Sequence, residues 1–255
     1  MKKVIVLFLI IVCMFAVSCG NKNTENVVSE DETVTESLVN EIETEEVATE
    51  ESEMQNETEV VLPSEEINLP AASDPNGITY EELPDDIKGM IIPIDSLLLY
   101  NVEIGGEYTL DNPEMFWMTM YFAVGNFGES NNHAKLLESE WAVTSADIKE
   151  FASSFIPEFQ NIPQIPDALS TLIRYDSAED IYFFGVGDRG LSGTEILSYE
   201  YVDNNTLKIK ARLFGLDDDM TINEGEFTLA RNNYVQNVAE PLFYFTVTEA
   251  VFIKE

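Results

Sequence analysis

The chain has 255 residues, with 48 Asp or Glu against 13 Lys or Arg, for a formal net charge of −35. A surface this negative repels phosphate backbones, so the composition excludes nucleic-acid binding. One His and two Cys remove most metal and nucleophile chemistry as well. The charge is uneven along the chain. Residues 20–75 hold 17 acids, one Lys and no aromatic residue, whereas residues 76–255 hold 31 acids, 10 bases and 25 aromatics. Only the second block has the apolar content to bury a core.

At the N-terminus, Lys2 and Lys3 precede an unbroken apolar run of 14 residues, Val4 to Val17. That is the length of a signal-peptide core, and short of the roughly 20 residues that span a bilayer. The run ends Ala16-Val17-Ser18-Cys19-Gly20. These residues resemble the lipobox of bacterial lipoproteins, with Ala16 where that pattern most often has Leu. The resemblance implies that residues 1–18 are a signal peptide and that Cys19 becomes the lipidated N-terminus. The protein would then be held by its acyl chains on the extracytoplasmic face of the cell membrane, with its lipid as the membrane contact. An ordinary secretory signal cleaved near Ser18 and an uncleaved anchor are the alternatives.

Residues 19–75 form the lipidated Cys and an acidic tether, expected to be disordered because low hydrophobicity with high charge cannot offset chain entropy. Like charges four apart, Glu41 with Glu45 and Glu46 with Glu50, oppose a helix there. A flexible chain of 56 residues has an end-to-end distance of about 40 Å, which self-repulsion extends.

Residues 76–255 are expected to fold as a single domain. Thr79-Tyr80-Glu81-Glu82 has capping-box spacing and predicts a short helix. Leu97 to Ile104 fits strand or helix. Asp111-Asn112-Pro113 predicts a helix start, and its body from Met115 to Val124 is apolar on nearly every side, as in a buried helix ended by Gly125 and Gly128. Thr144 to Asp147 predicts the start of an amphipathic helix, with Ile148, Phe151, Ala152, Phe155 and Ile156 on one face and Pro157 as its stop. A shorter helix is predicted from Pro166 to about Leu172. Strands follow at Ile181–Val186, Thr194–Asp203, Leu207–Phe214, Glu226–Arg231 and Leu242–Ile253. Between two of them, facing side chains favour a three-residue loop that sets Tyr201 opposite Ile209 and Glu200 opposite Lys210, with an Asn in the left-handed region.

Helices first and an antiparallel meander last give an α+β domain: about three helices packed on one face of a curved antiparallel sheet of about five strands. In element order, residues 111–253 resemble the cystatin-like roll of the nuclear transport factor two superfamily. That resemblance implies a concavity between helices and sheet but transfers no site residue.

The candidate sites each have a plainer reading. Gly185-Val186-Gly187-Asp188-Arg189-Gly190 spells a dinucleotide fingerprint, but a strand-like segment follows where the mechanism needs a helix N-terminus. Asp217 and Asp219, with Thr221, Asn223 and Glu224 nearby, could hold Ca²⁺, though the EF-hand order fails and a solvated acidic loop explains them. Asp176, Glu179 and Asp180 could pair as acid and base, or simply build a turn. His133 lies in a polar loop with no nucleophile motif. Lys208, Lys210 and Arg212 form a basic stripe on one strand face, open to an anionic ligand or to pairing with acids such as Glu200. With no assembled catalytic group, the expected function is a non-catalytic binding or accessory module for a neutral or cationic envelope glycan, peptide or protein. No cofactor is expected beyond that calcium possibility. The competing expectation is a small carboxylate-dependent hydrolase or isomerase using the same cavity, favoured if His133 reaches an acid.

Overall fold

The structure is a computed structural model, and it describes residues 69–157, 161–187, 190–234 and 241–253. The expected signal peptide, Cys19 and the tether up to residue 68 lie outside the described residues. In chain order, β1 (Ala71–Ile78), a 3₁₀ turn (Tyr80–Glu82) and α1 (Asp85–Lys88) lead into α2 (Ile91–Ile104) and α3 (Pro113–Phe127). Then come β2 (Lys135–Leu137), β3 (Glu140–Thr144), α4 (Ser145–Ser153), β4 (Ile173–Asp176) and β5 (Ile181–Gly185). The chain closes with β6 (Ser192–Tyr201), β7 (Thr206–Gly215), β8 (Thr221–Arg231) and β9 (Phe245–Ile253).

This is an α+β fold with two antiparallel sheets, one ordered β1-β6-β7-β8-β9 and the other β2-β3-β5-β4. A five-stranded antiparallel sheet with a helix packed on it matches expectation, but its members differ: β1 joins it, while the strand expected at Ile181–Val186 is β5 of an additional four-stranded sheet. The helices also divide their work. Helix α2 packs on β6, β7, β8 and β9, while α3 packs on α2, α4 and β5.

Helix α2 settles the ambiguous segment. Pro93 sits in its first turn, where no intrahelical donor is needed, and Gly105 ends it at φ 73° with its amide on the Asn101 carbonyl. Every residue from Ile92 to Tyr100 is buried. Helix α3 starts as expected: the Asn112 side chain accepts from the amides of Glu114 (3.0 Å) and Met115 (3.3 Å). Gly125 does not end it, because the helix continues to Phe127 and Gly128 caps it through the Val124 carbonyl.

Helix α4 is capped by Thr144, which accepts from the Asp147 amide at 3.2 Å. Ile148, Phe151, Ala152 and Phe155 are fully buried. It stops at Ser153, ahead of Pro157, because strand β9 takes its last carbonyls: the Thr246 hydroxyl donates to Ser153 O and the Val247 amide to Ser154 O. The helix expected from Pro166 shrinks to a 3₁₀ turn, Asp167–Leu169, and Ile173 onward is strand.

Strand β1 corrects the boundary at residue 75. Ala71, Ala72 and Ser73 pair with Glu200, Tyr199 and Ser198, and after a bulge Ile78 pairs with Ile196. Pro75 is compatible because β1 is an edge strand, where a missing amide leaves no ladder bond unmade. The β6–β7 hairpin has the expected faces but a shifted centre. Tyr199 opposes Ile209, Tyr201 opposes Leu207 and Glu200 opposes Lys208 rather than Lys210. The Val202 amide donates to Thr206 O at 2.9 Å, closing Asp203-Asn204-Asn205. No Asn there is left-handed; instead the Asp203 carboxylate accepts from the Asn205 amide at 2.7 Å.

Candidate functional sites

The concavity between helices and large sheet is core rather than cavity. Leu97 and Leu98 of α2 and Phe155 are fully buried there, Leu98 against Gly225 of β8. Trp117, also fully buried, packs instead on Tyr182 and Phe184 of β5, with its indole N–H on the Pro163 carbonyl. Phe122 is only partly buried and packs against this core from outside.

A recess of about 760 Å³ opens instead beside the N-terminal end of α2. Ile78, Tyr80, Ile91, Ile92, Phe127 and Leu242 give it apolar walls. Behind them sits Asp95, fully buried. Its Oδ1 accepts from the Thr194 hydroxyl at 2.7 Å and its Oδ2 from the Asn126 amide at 3.1 Å. One carboxylate thereby joins α2, α3 and β6. At the rim Asp85 pairs with Lys88 at 2.7 Å, and Glu195 adds a second acid. Asp95 was detectable as the one charge inside Ile91–Leu99, because a buried charge requires built partners.

A second recess, about 710 Å³, lies on the outer face of the large sheet and includes Lys208, Lys210, Glu200, Glu226 and Glu249. The basic stripe does not make it an anion site. Lys210 pairs with Glu224 at 2.9 Å, Arg212 with Glu195 at 2.8 Å and Asp219 at 2.7 Å, and Lys208 faces Glu200 across the strands. Acids hold the stripe, and one of the two calcium candidates, Asp219, is among them. The Asp219 carboxylate is held by Arg212, and Asp218 caps the Met220 amide at 3.1 Å. Among the described residues, Asp217 and Asp219 join no group of three ligand side chains close enough to share an ion.

The remaining acids near β4 and β5 build a turn. Asp176 accepts from the Ala178 amide at 2.9 Å. Asp180, left-handed at φ 57°, accepts from the Ser145 hydroxyl at 2.5 Å and the Tyr175 hydroxyl at 2.7 Å. Those two donors, Ser145 first, hold its carboxyl below the ordinary carboxylate range. The glycine fingerprint is followed by strand β6, as its plainer reading requires; Asp188 and Arg189 lie outside the described residues.

His133 has partners that its loop sequence concealed. Its Nδ1 lies 2.7 Å from Asp147 Oδ1 and 3.8 Å from Glu150 Oε2, both on α4. The ring stands edge-on to Phe151 at 5.6 Å. Neither recess includes His133. Compared with known proteins, the chain matches no family model, no curated protein and no solved structure.

Proposed function

We propose that this chain is a lipid-anchored extracytoplasmic binding module that takes a neutral or cationic small molecule, or a residue of a peptide or glycan, into the recess beside α2. The observation that carries this reading is the separation of cavity from chemistry. The recess has the size of a ligand pocket, with walls that mix apolar and polar side chains, yet its buried acid is engaged by Thr194 and Asn126. Conversely, the His133–Asp147 pair, which would favour a hydrolase, borders neither recess. A general base needs a substrate within hydrogen-bond reach. The ligand's charge follows from the field: residues 76–255 carry 31 acids and 10 bases, and such a surface disfavours anions.

The test is calorimetric titration of the full-length chain with benzylamine, benzyl alcohol and benzoate, three probes of one shape and different charge. The amine and alcohol should bind saturably, benzoate should not, and Ile78→Trp should abolish binding by filling the mouth. Benzoate binding as tightly as benzylamine, or unchanged binding to Ile78→Trp, would overturn the reading.

A further inference from the structure

The cluster of His133, Asp147 and Glu150 is the one place among the described residues where three potential ligand side chains converge, with all ligand atoms within 4.8 Å of one another. We propose that it is a binding site for a zinc-class divalent cation, held by His133 Nδ1, Asp147 Oδ1 and Glu150 Oε2.

The spacing suits such an ion. Tetrahedral ligands about 2.0–2.1 Å from a zinc lie about 3.3 Å from each other. The observed separations from His133 Nδ1, 2.7 Å to Asp147 and 3.8 Å to Glu150, bracket that value. Small side-chain rotations would equalise them, with the metal replacing the hydrogen-bond proton between His133 and Asp147. Asp147 and Glu150 lie three apart on α4, so the helix presents both on one face. Their two negative charges match a dication once the imidazole is neutral, and they outweigh the opposing partial charge of the helix N-terminus.

The surroundings fix two of the three ligands. The Thr144 hydroxyl donates to Asp147 Oδ2 at 2.5 Å, leaving Oδ1 turned to the site. The Phe151 ring holds the imidazole edge-on. The three side chains are 21%, 26% and 28% exposed, so water can complete the coordination, as in metal sites with three protein ligands. An imidazole nitrogen selects zinc, cobalt, nickel or copper over calcium or magnesium.

The chain's single His makes the test direct. In the full-length protein, zinc is titrated while the imidazole ¹⁵N and ¹H resonances are followed by NMR. Zinc should shift Nδ1 saturably at one equivalent, and calcium or magnesium should not. Glu150→Gln should weaken the apparent affinity. Thr144→Val, which removes the hydroxyl that orients Asp147 together with the α4 cap, should weaken it by about tenfold, whereas Thr144→Ser, which keeps both, should not. The readout separates this site from zinc caught on the Glu-rich surface, which would leave the imidazole unmoved. Unmoved imidazole resonances at saturating zinc, or an unchanged apparent affinity in the Glu150→Gln variant, would overturn the proposal.

Discussion

Replacing Asp95 with Ala tests how the helices are fixed to the large sheet. The carboxylate is fully buried and accepts from Thr194 on β6 and Asn126 on α3. A hydrogen bond to a charged group contributes about 1.5–3 kcal/mol, so losing two removes about 3–6 kcal/mol and strands both donors. In a domain of this size each kcal/mol lowers Tm by about 2–4 °C, which predicts a fall of about 6–24 °C. Thermal unfolding of the full-length chain followed by circular dichroism measures it. Thr194→Val should be destabilising in the wild type but add little to Asp95→Ala, since its partner is already gone. If Asp95→Ala lowered Tm by less than about 4 °C, the carboxylate would not be what joins α2, α3 and β6.

Three further outcomes are expected. Tyr108 lies within hydrogen-bond distance of the Phe155 and Val247 carbonyls, at 2.8 and 2.7 Å, so Tyr108→Phe should cost about 1–1.5 kcal/mol in denaturant unfolding. Burial pushes that phenol well above the ordinary tyrosine range; its contribution is therefore complete below the unfolded value of about 10 and lost as pH rises beyond it. The gap between wild type and variant should narrow in alkali. Asp180 is depressed instead, by Ser145 and Tyr175, so its contribution is present above about pH 4 and lost as pH falls through the folded value. Asp180→Asn, which tolerates the left-handed backbone, should be less stable than wild type at pH 7 and converge with it in acid melts. Cys19→Ala should move the chain out of the membrane fraction; retention there would contradict lipid anchoring.

What could be read from the sequence depended on whether the signal was local. Asn112-Pro113 and Thr144 cap helices through side chains two or three residues away, so those starts were legible. The parity of the β6–β7 hairpin was legible because alternating Tyr199, Tyr201, Leu207 and Ile209 must share a face. Its centre was not, since moving the loop by one residue preserves every face. Strand β1 was hidden because Ser73-Asp74-Pro75-Asn76-Gly77 has turn composition, and only pairing with β6 makes it strand. Of the four-stranded sheet β5 was legible as a strand, but β2 and β4 are short and mostly exposed, with no alternating pattern to find. His133 looked solitary for a similar reason: Asp147 and Glu150 lie 14 and 17 residues away, and the fold brings them to it.

The binding reading is tested most directly by locating a bound probe. Isoleucine methyl NMR of the full-length chain, titrated with benzylamine, should shift the methyls of Ile78, Ile91 and Ile92, which line the recess. It should leave Ile148 and Ile173, buried elsewhere in the core, unmoved. Saturable binding that left those three recess methyls unperturbed would contradict the account.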